Sequence, residues 1–233
     1  MNMHLDEQGW GEAVLENIWA VLESVDRVFR PCFGSSMNTN DLLVIHCDDH
    51  PVTYSDYNVI LLSAGNRFWC QYAYQFTHEY CHFQIGGNVP RQLRWFEESL
   101  CELASHFFLP RIGDLWKINP PYPNWKDYAE NFQKYSMLDQ QKAIPFDLDF
   151  SDNQDSLVHL IQNEYDRPMN TYVALKLMPV FEATPQLWSV VHIIKSISKD
   201  LTFSESLRCW KNLSPEEFRK DIDTVAEIFS IAL

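Results

Sequence analysis

The sequence is short of positive charge, of glycine and of long apolar runs. Lysine and arginine number 18 against 32 aspartates and glutamates in 233 residues, a formal net charge of −14. A surface so acidic repels phosphate backbones and anionic headgroups, which argues against nucleic acid and membrane partners. Seven glycines and a 21% charged fraction exclude collagenous or low-complexity material and argue against global disorder. No stretch approaches the ~20 uninterrupted apolar residues that cross a bilayer. Residues 1–10 include Asp6 and Glu7 and lack a basic-then-apolar pattern, so no signal peptide is expected and the expected location is cytoplasmic. Six cysteines, at 32, 47, 70, 81, 101 and 209, form no C-x-x-C pair. They read as small, reduced, buried hydrophobes rather than a disulfide framework.

What is present is apolar and aromatic, 46% and 14% of the chain, enough for one domain over 1–233 with a proper core. The periodicity predicts a helix over 11–29, stopped by Pro31. Residues 32–40 are a Gly/Ser/Asn loop. Two β-branched runs, 42–45 and 59–62, predict strands of a small sheet, so 1–67 forms a helix-and-sheet subregion. Neither run leads into a glycine-rich phosphate loop, and nucleotide binding has no support. Helices over 68–85 and from Pro90 to Phe108, with Gly86-Gly87 between them, make a second subregion, 68–110. Residues 111–155, rich in Pro, Asn and Asp, read as a long surface excursion. The last subregion, 156–233, reads as helical over 156–165, 168–182, 186–199 and 215–231. Proline at the first helical position follows Thr184 and Ser214, and Ser214 with Glu217 has the form of a capping box. The fold class is therefore α+β: a small mixed sheet packed on a central helix, with a mainly helical C-terminal lobe.

The chemistry lies in that central helix. His78-Glu79-Tyr80-Cys81-His82 is an H-E-x-x-H motif. Histidines four apart share one helical face and can reach one ion, while the glutamate between them is turned aside to activate a water. Trp69, Ala73, Phe76, Tyr80 and Phe83 form an apolar seam, and the two histidines lie off it, beside Gln71, Tyr74 and Gln75. A third ligand is expected from a neighbouring element, with the fourth position left for water. The next helix offers Glu98 and Glu102 on the face opposite its seam of Phe96, Leu100, Leu103 and Phe107, with Glu97 a quarter-turn away. The competing reading of these three glutamates is a solvated acidic stripe. Cys81 points away from the ion, and nothing marks it as a nucleophile. His46 and His50, flanking Asp48 and Asp49, are a second cluster without further support.

This H-E-x-x-H followed by Trp95-Phe96-Glu97-Glu98 resembles the gluzincin zinc peptidases, the clan of the thermolysin and aminopeptidase N families. Fifteen residues separate His82 from Glu98, close to the aminopeptidase-type spacing. The resemblance covers about residues 58–108. It implies one Zn²⁺ held by His78, His82 and Glu98, with Glu79 as general base. It also implies that Glu102 orients a ligand histidine through its other ring nitrogen. The implied activity is hydrolysis of peptide bonds in a peptide or protein substrate. Such peptidases bind the substrate backbone along a strand edge, here expected at 59–64. A tyrosine ahead of a C-terminal helix donates to the oxyanion in the aminopeptidase-type relatives, which points to Tyr165, with Tyr172 behind it. His106, His159 and His192 are further candidate donors. The aminopeptidase signature Gly-x-Met-Glu-Asn is absent, which leaves endopeptidase activity, or a non-peptide or cell-wall amide, open. The alternative from another class is a non-catalytic scaffold that keeps the metal core as a binding module. Oligomeric state is not legible.

Overall fold

In the computed structural model, residues 2–151 and 154–233 are described. The fold is mixed α+β, mostly helical with one small sheet. Its elements are β1 (Met3–Leu5), α1 (Leu15–Phe33), β2 (Leu42–His46), β3 (Val52–Tyr54), β4 (Val59–Leu62), α2 (Trp69–Ile85), α3 (Arg94–Ile118), α4 (Glu130–Gln140), α5 (Asp155–Gln162), α6 (Arg167–Ala183), α7 (Phe203–Leu213) and α8 (Arg219–Ile228). Two compact units emerge, one of residues 1–31, 37–87 and 104–139, the other of 32–36, 88–103 and 140–233.

In the first unit the sheet order is β1-β2-β4-β3. β1 and β4 lie parallel to β2, and β3 pairs antiparallel to β4, with Thr53 opposite Ile60. Period-2 alternation buries Leu42 and Val44 of β2 and Ile60 and Leu62 of β4 completely. On α1, Ile18, Val21, Leu22, Val25 and Phe29 are buried at i, i+3, i+4, i+7 spacing, each side chain contributing roughly 1.5–3 kcal/mol. Phe29 stacks on Phe108 with ring centroids 4.0 Å apart. One polar network crosses this core: the Tyr80 hydroxyl donates to Asp26 Oδ1 at 2.8 Å, and Arg30 holds the other Asp26 oxygen at 2.7 Å. Burial, with that carboxylate alongside, drives the Tyr80 phenol far above its ordinary pKa, so it stays a donor.

The second unit is built on an aromatic cluster. Trp95, Phe96, Phe150, Phe203 and Phe229 meet with centroids 4.9–6.1 Å apart, in the edge-on and offset arrangements that aromatic pairs favour. Trp210 is anchored by its indole N–H on the Val190 carbonyl at 2.9 Å. The first half of α3 is tied to α6, where the Ser99 hydroxyl donates to Asn170 Oδ1 at 3.3 Å.

Several expected boundaries move. α1 passes through Pro31 to Phe33, and α3 passes through Pro110 to Ile118. At the second proline, fully buried Leu109, Ile112 and Trp116 carry the seam across the break, and Arg111 Nη1 donates to the Phe107 carbonyl at 2.7 Å. Packing there outweighs the lost backbone bond. The stretch 111–155 is not one long excursion. It holds the end of α3, a 3₁₀ segment (Pro123–Tyr128) and α4, while residues 152 and 153 lie outside the described residues. The segment Pro185–Ser196 is 3₁₀ rather than α. The Ser214–Glu217 capping box does not form, because the Ser214 hydroxyl turns back to the Trp210 carbonyl at 2.8 Å. A capping box forms instead at Thr202 and Glu205, opening α7.

Candidate metal centre

α2 is the central strut of the first unit. Fifteen of its residues are buried, so its polar side lies inside the protein as fully as its apolar seam. Gly86 ends it in the left-handed conformation (φ 90°), its N–H on the His82 carbonyl at 2.9 Å. A side chain there would resist that geometry. The helix therefore stops one turn past the H-E-x-x-H motif. The rings of His78 and His82 lie on one face with centroids 5.2 Å apart, as i and i+4 positions must.

The partner helix is α3, one unbroken helix from Arg94 to Ile118. Its register against α2 is fixed where the Ser105 hydroxyl donates to the Tyr74 carbonyl at 3.2 Å and the His106 ring sits edge-on to Tyr74 at 6.0 Å. One ligand atom from each of His78, His82 and Glu98 lies within 4.8 Å of the other two. His78 is buried and the other two are half-buried, so the grouping has a wet side. Two imidazole nitrogens and a carboxylate oxygen are donors that can hold a metal ion.

Glu79, buried one residue on from His78, is held from the sheet. The Thr53 hydroxyl on β3 lies 2.8 Å from both Glu79 Oε2 and the Glu79 main-chain oxygen, and its single proton serves one of them at a time. Thr53 is a site residue that the sequence reading missed. Val52-Thr53-Tyr54 is a strand of only three residues, too short for a period to register.

No family model, curated protein or solved structure matches this chain.

The glutamates do not form a solvated stripe: Glu97 and Glu102 are buried and Glu98 is half-buried. The Thr171 hydroxyl lies 2.8 Å from the Arg167 main-chain oxygen and 3.2 Å from Glu102 Oε1, its single proton serving one of them at a time, and Arg167 Nε stands 3.7 Å from the other Glu102 oxygen. The expected binding edge over 59–64 is not free. β4 is paired on both sides over Val59–Leu62. Beyond it, Gln75 of α2 accepts from the Ser63 and Ala64 N–H groups at 3.1 and 2.9 Å. The terminal strand of the sheet on that side is β3. Tyr165 is 75% exposed in the turn ahead of α6, and Tyr172 packs on Phe146. His159 bonds to Asp166 at 2.9 Å, and burial lowers the pKa of His192. His50 pairs with its neighbour Asp49 at 3.1 Å, and His46 lies against the Trp10 ring. Cys81 is fully buried, and burial pushes the Cys70 thiol up to about 11, protonated at neutral pH. No helix is long and apolar enough to cross a membrane among the described residues.

Proposed function

We propose that this chain is a zinc-dependent hydrolase of peptide bonds with a gluzincin-like arrangement. The observation carrying the reading is the convergence of ligand atoms from His78, His82 and Glu98 within 4.8 Å, beside a glutamate held in place by Thr53. Bound zinc would supply a Lewis acid that polarises the scissile carbonyl and lowers the pKa of water towards ~7.

The chain's own residues do the rest. His78 and His82 bind as neutral imidazoles, each through one ring nitrogen, and Glu98 adds the anionic ligand. Glu79 Oε1 or Oε2 takes the proton of the attacking water and returns it to the amine nitrogen as it leaves. The Thr53 hydroxyl bond restricts the rotation of that carboxylate and keeps it aimed while it exchanges the proton. β3, at the margin of the sheet, offers main-chain donors and acceptors to an extended peptide. Tyr165 would donate to the oxyanion only once substrate covers it, since such bonds act in water-excluded sites.

Metal-loaded protein incubated with a broad peptide library, with and without a chelator, tests the reading. Cleavage is expected to require the metal. Glu79→Gln is expected to retain zinc and lose at least 10²-fold in turnover, the lower end of what a general base contributes. Undiminished cleavage by pure Glu79→Gln protein would remove Glu79 from the mechanism, and a loaded wild-type protein that cuts nothing would favour a scaffold.

A further inference from the structure

We infer that a groove beside β1 docks an extended, basic segment of a partner protein, which joins the sheet as a further strand. The groove has a volume of about 490 Å³; Leu5, Leu15, Trp19 and Tyr122 line it, together with Glu16 and Glu23. Every lining residue belongs to the first unit.

β1 ends the sheet on this side, at the edge opposite β3, and no strand lies beyond it among the described residues. The Leu42 N–H donates to the Asn2 carbonyl and the Asp6 N–H to the Val44 carbonyl, both at 2.9 Å. Positions 2 and 6 therefore face β2, and alternation along the strand turns the N–H and C=O of Met3 and Leu5 outward. Such an edge is a template for another chain. Leu5 joins the edge to the groove. Opposite Val44 in the register, it points to the same face of the sheet; Val44 is fully buried there, whereas Leu5, at the margin, is half-buried. Trp19 is 37% exposed, and covering a large aromatic side chain is where binding energy concentrates.

Charge selects the occupant. Glu16, Trp19 and Glu23 are three and four apart on α1 and share one face, with the indole between two exposed carboxylates. Among the described residues neither glutamate forms an ion pair, not even Glu23 with Arg27 one turn on. Each attracts a cation, and the indole accepts an apolar stem or a cation on its face. The net charge of −14 repels an acidic partner, and a second copy of this chain equally. A strand with basic side chains flanking an apolar one gives backbone to the edge, apolar surface to the groove and a cation to each carboxylate. Glu16 and Glu23 lie two turns apart, ~10.5 Å. Basic residues four apart on a strand are ~13 Å apart, a difference their long side chains span.

The test is a fluorescence-anisotropy titration of the full chain, with and without a chelator, against dye-labelled Thr-Lys-Thr-Leu-Thr-Lys-Thr and its counterpart with glutamate for both lysines. The lysine peptide is expected to bind about tenfold more tightly at low salt, a preference that shrinks as salt is added, and to bind equally in chelator. Trp19→Ala is expected to weaken binding about tenfold or more, and Glu16→Gln and Glu23→Gln roughly 2–5-fold each. All three positions are exposed, so these variants keep the fold. Methylating the peptide amides in one alternate pattern is expected to abolish binding, and in the other to leave it, because only one set faces β1. Several results overturn the inference: no binding of the lysine peptide at ~1 mM, binding that survives Trp19→Ala, identical effects of the two methylation patterns, or binding lost in chelator, which would move the peptide to the metal centre. A dimer of the free chain that Trp19→Ala dissociates also overturns it, giving the groove to a second copy. None of these outcomes depends on whether the chain hydrolyses peptides.

Discussion

At the residue scale, the chemistry falls into what a local pattern declares and what only folding assembles. The pairing of His78 and His82 was legible because i, i+4 spacing alone puts two histidines on one helical face, with Glu79 between them. Glu98 needed the resemblance of the Trp95–Glu98 segment, and it is Glu98, not Glu97, whose carboxylate is grouped with the two histidines. Glu98→Ala is therefore expected to strip most of the metal and Glu97→Ala to leave it; metal analysis giving the reverse order would move the ligand. Thr53 was not legible, since a lone threonine means nothing until a neighbour arrives. Thr53 yields a sharper expectation. Thr53→Val keeps the shape and removes the donor to Glu79. A hydrogen bond to a charged group is worth ~1.5–3 kcal/mol, so kcat should fall about 10–100-fold with KM and zinc content little changed. An equal rise in KM at constant kcat would assign Thr53 to substrate binding instead.

At the scale of elements, long amphipathic segments were read well and short or proline-bearing ones poorly. α2 and α6 match their expected spans within a residue or so, because their period and stop signals agree. α3 and α4 were truncated or lost because proline and asparagine signal turns, whereas buried Ile112, Trp116 and Phe132 override that signal. α7 was missed although Thr202 and Glu205 carry the capping pattern that Ser214 and Glu217 only imitate. In α7 the Glu205 N–H donates to Thr202 Oγ1 at 3.2 Å, and Glu205 Oε2 accepts from the Thr202 N–H at 2.8 Å. Those bonds from Thr202 lower the Glu205 pKa. A carboxylate depressed in the folded state stabilises above its unfolded pKa, and the stabilisation fades as pH falls through the folded value. Thr202→Ala should thus cost ~1 kcal/mol at pH 7, lowering Tm by about 2–4 °C. The Thr202 N–H keeps its bond to Glu205 in that variant, so the charged half is read with Glu205→Ala, whose destabilisation should fade on acidification below the ordinary glutamate range; a pH-independent effect of Glu205→Ala would show that the charged half of the box contributes nothing.

At the scale of the molecule, the α+β class was legible, because one helix-and-strand stretch is followed by helices. The sheet's detail was not. β1 and β3 are three residues each, and their pairing puts β4 in the interior, moving the margin of the sheet to β3. That shift sets Thr53 against Glu79, so the topology of a strand too short to predict positions the proposed base. The aromatic wealth of the sequence is spent on two cores, one around Phe29, Phe76 and Tyr80 and one around Trp95, Phe203 and Phe229. Of the glutamates at the start of α3, Glu97 and Glu102 are buried and Glu98 is half-buried. Anomalous-difference density in crystals of the zinc-loaded protein tests the whole account most directly. It should show a peak ~2.0–2.1 Å from one nitrogen each of His78 and His82 and a comparable distance from a Glu98 carboxylate oxygen. Zinc-loaded crystals with no peak there, or with the imidazoles turned apart and zinc bound elsewhere, would contradict it.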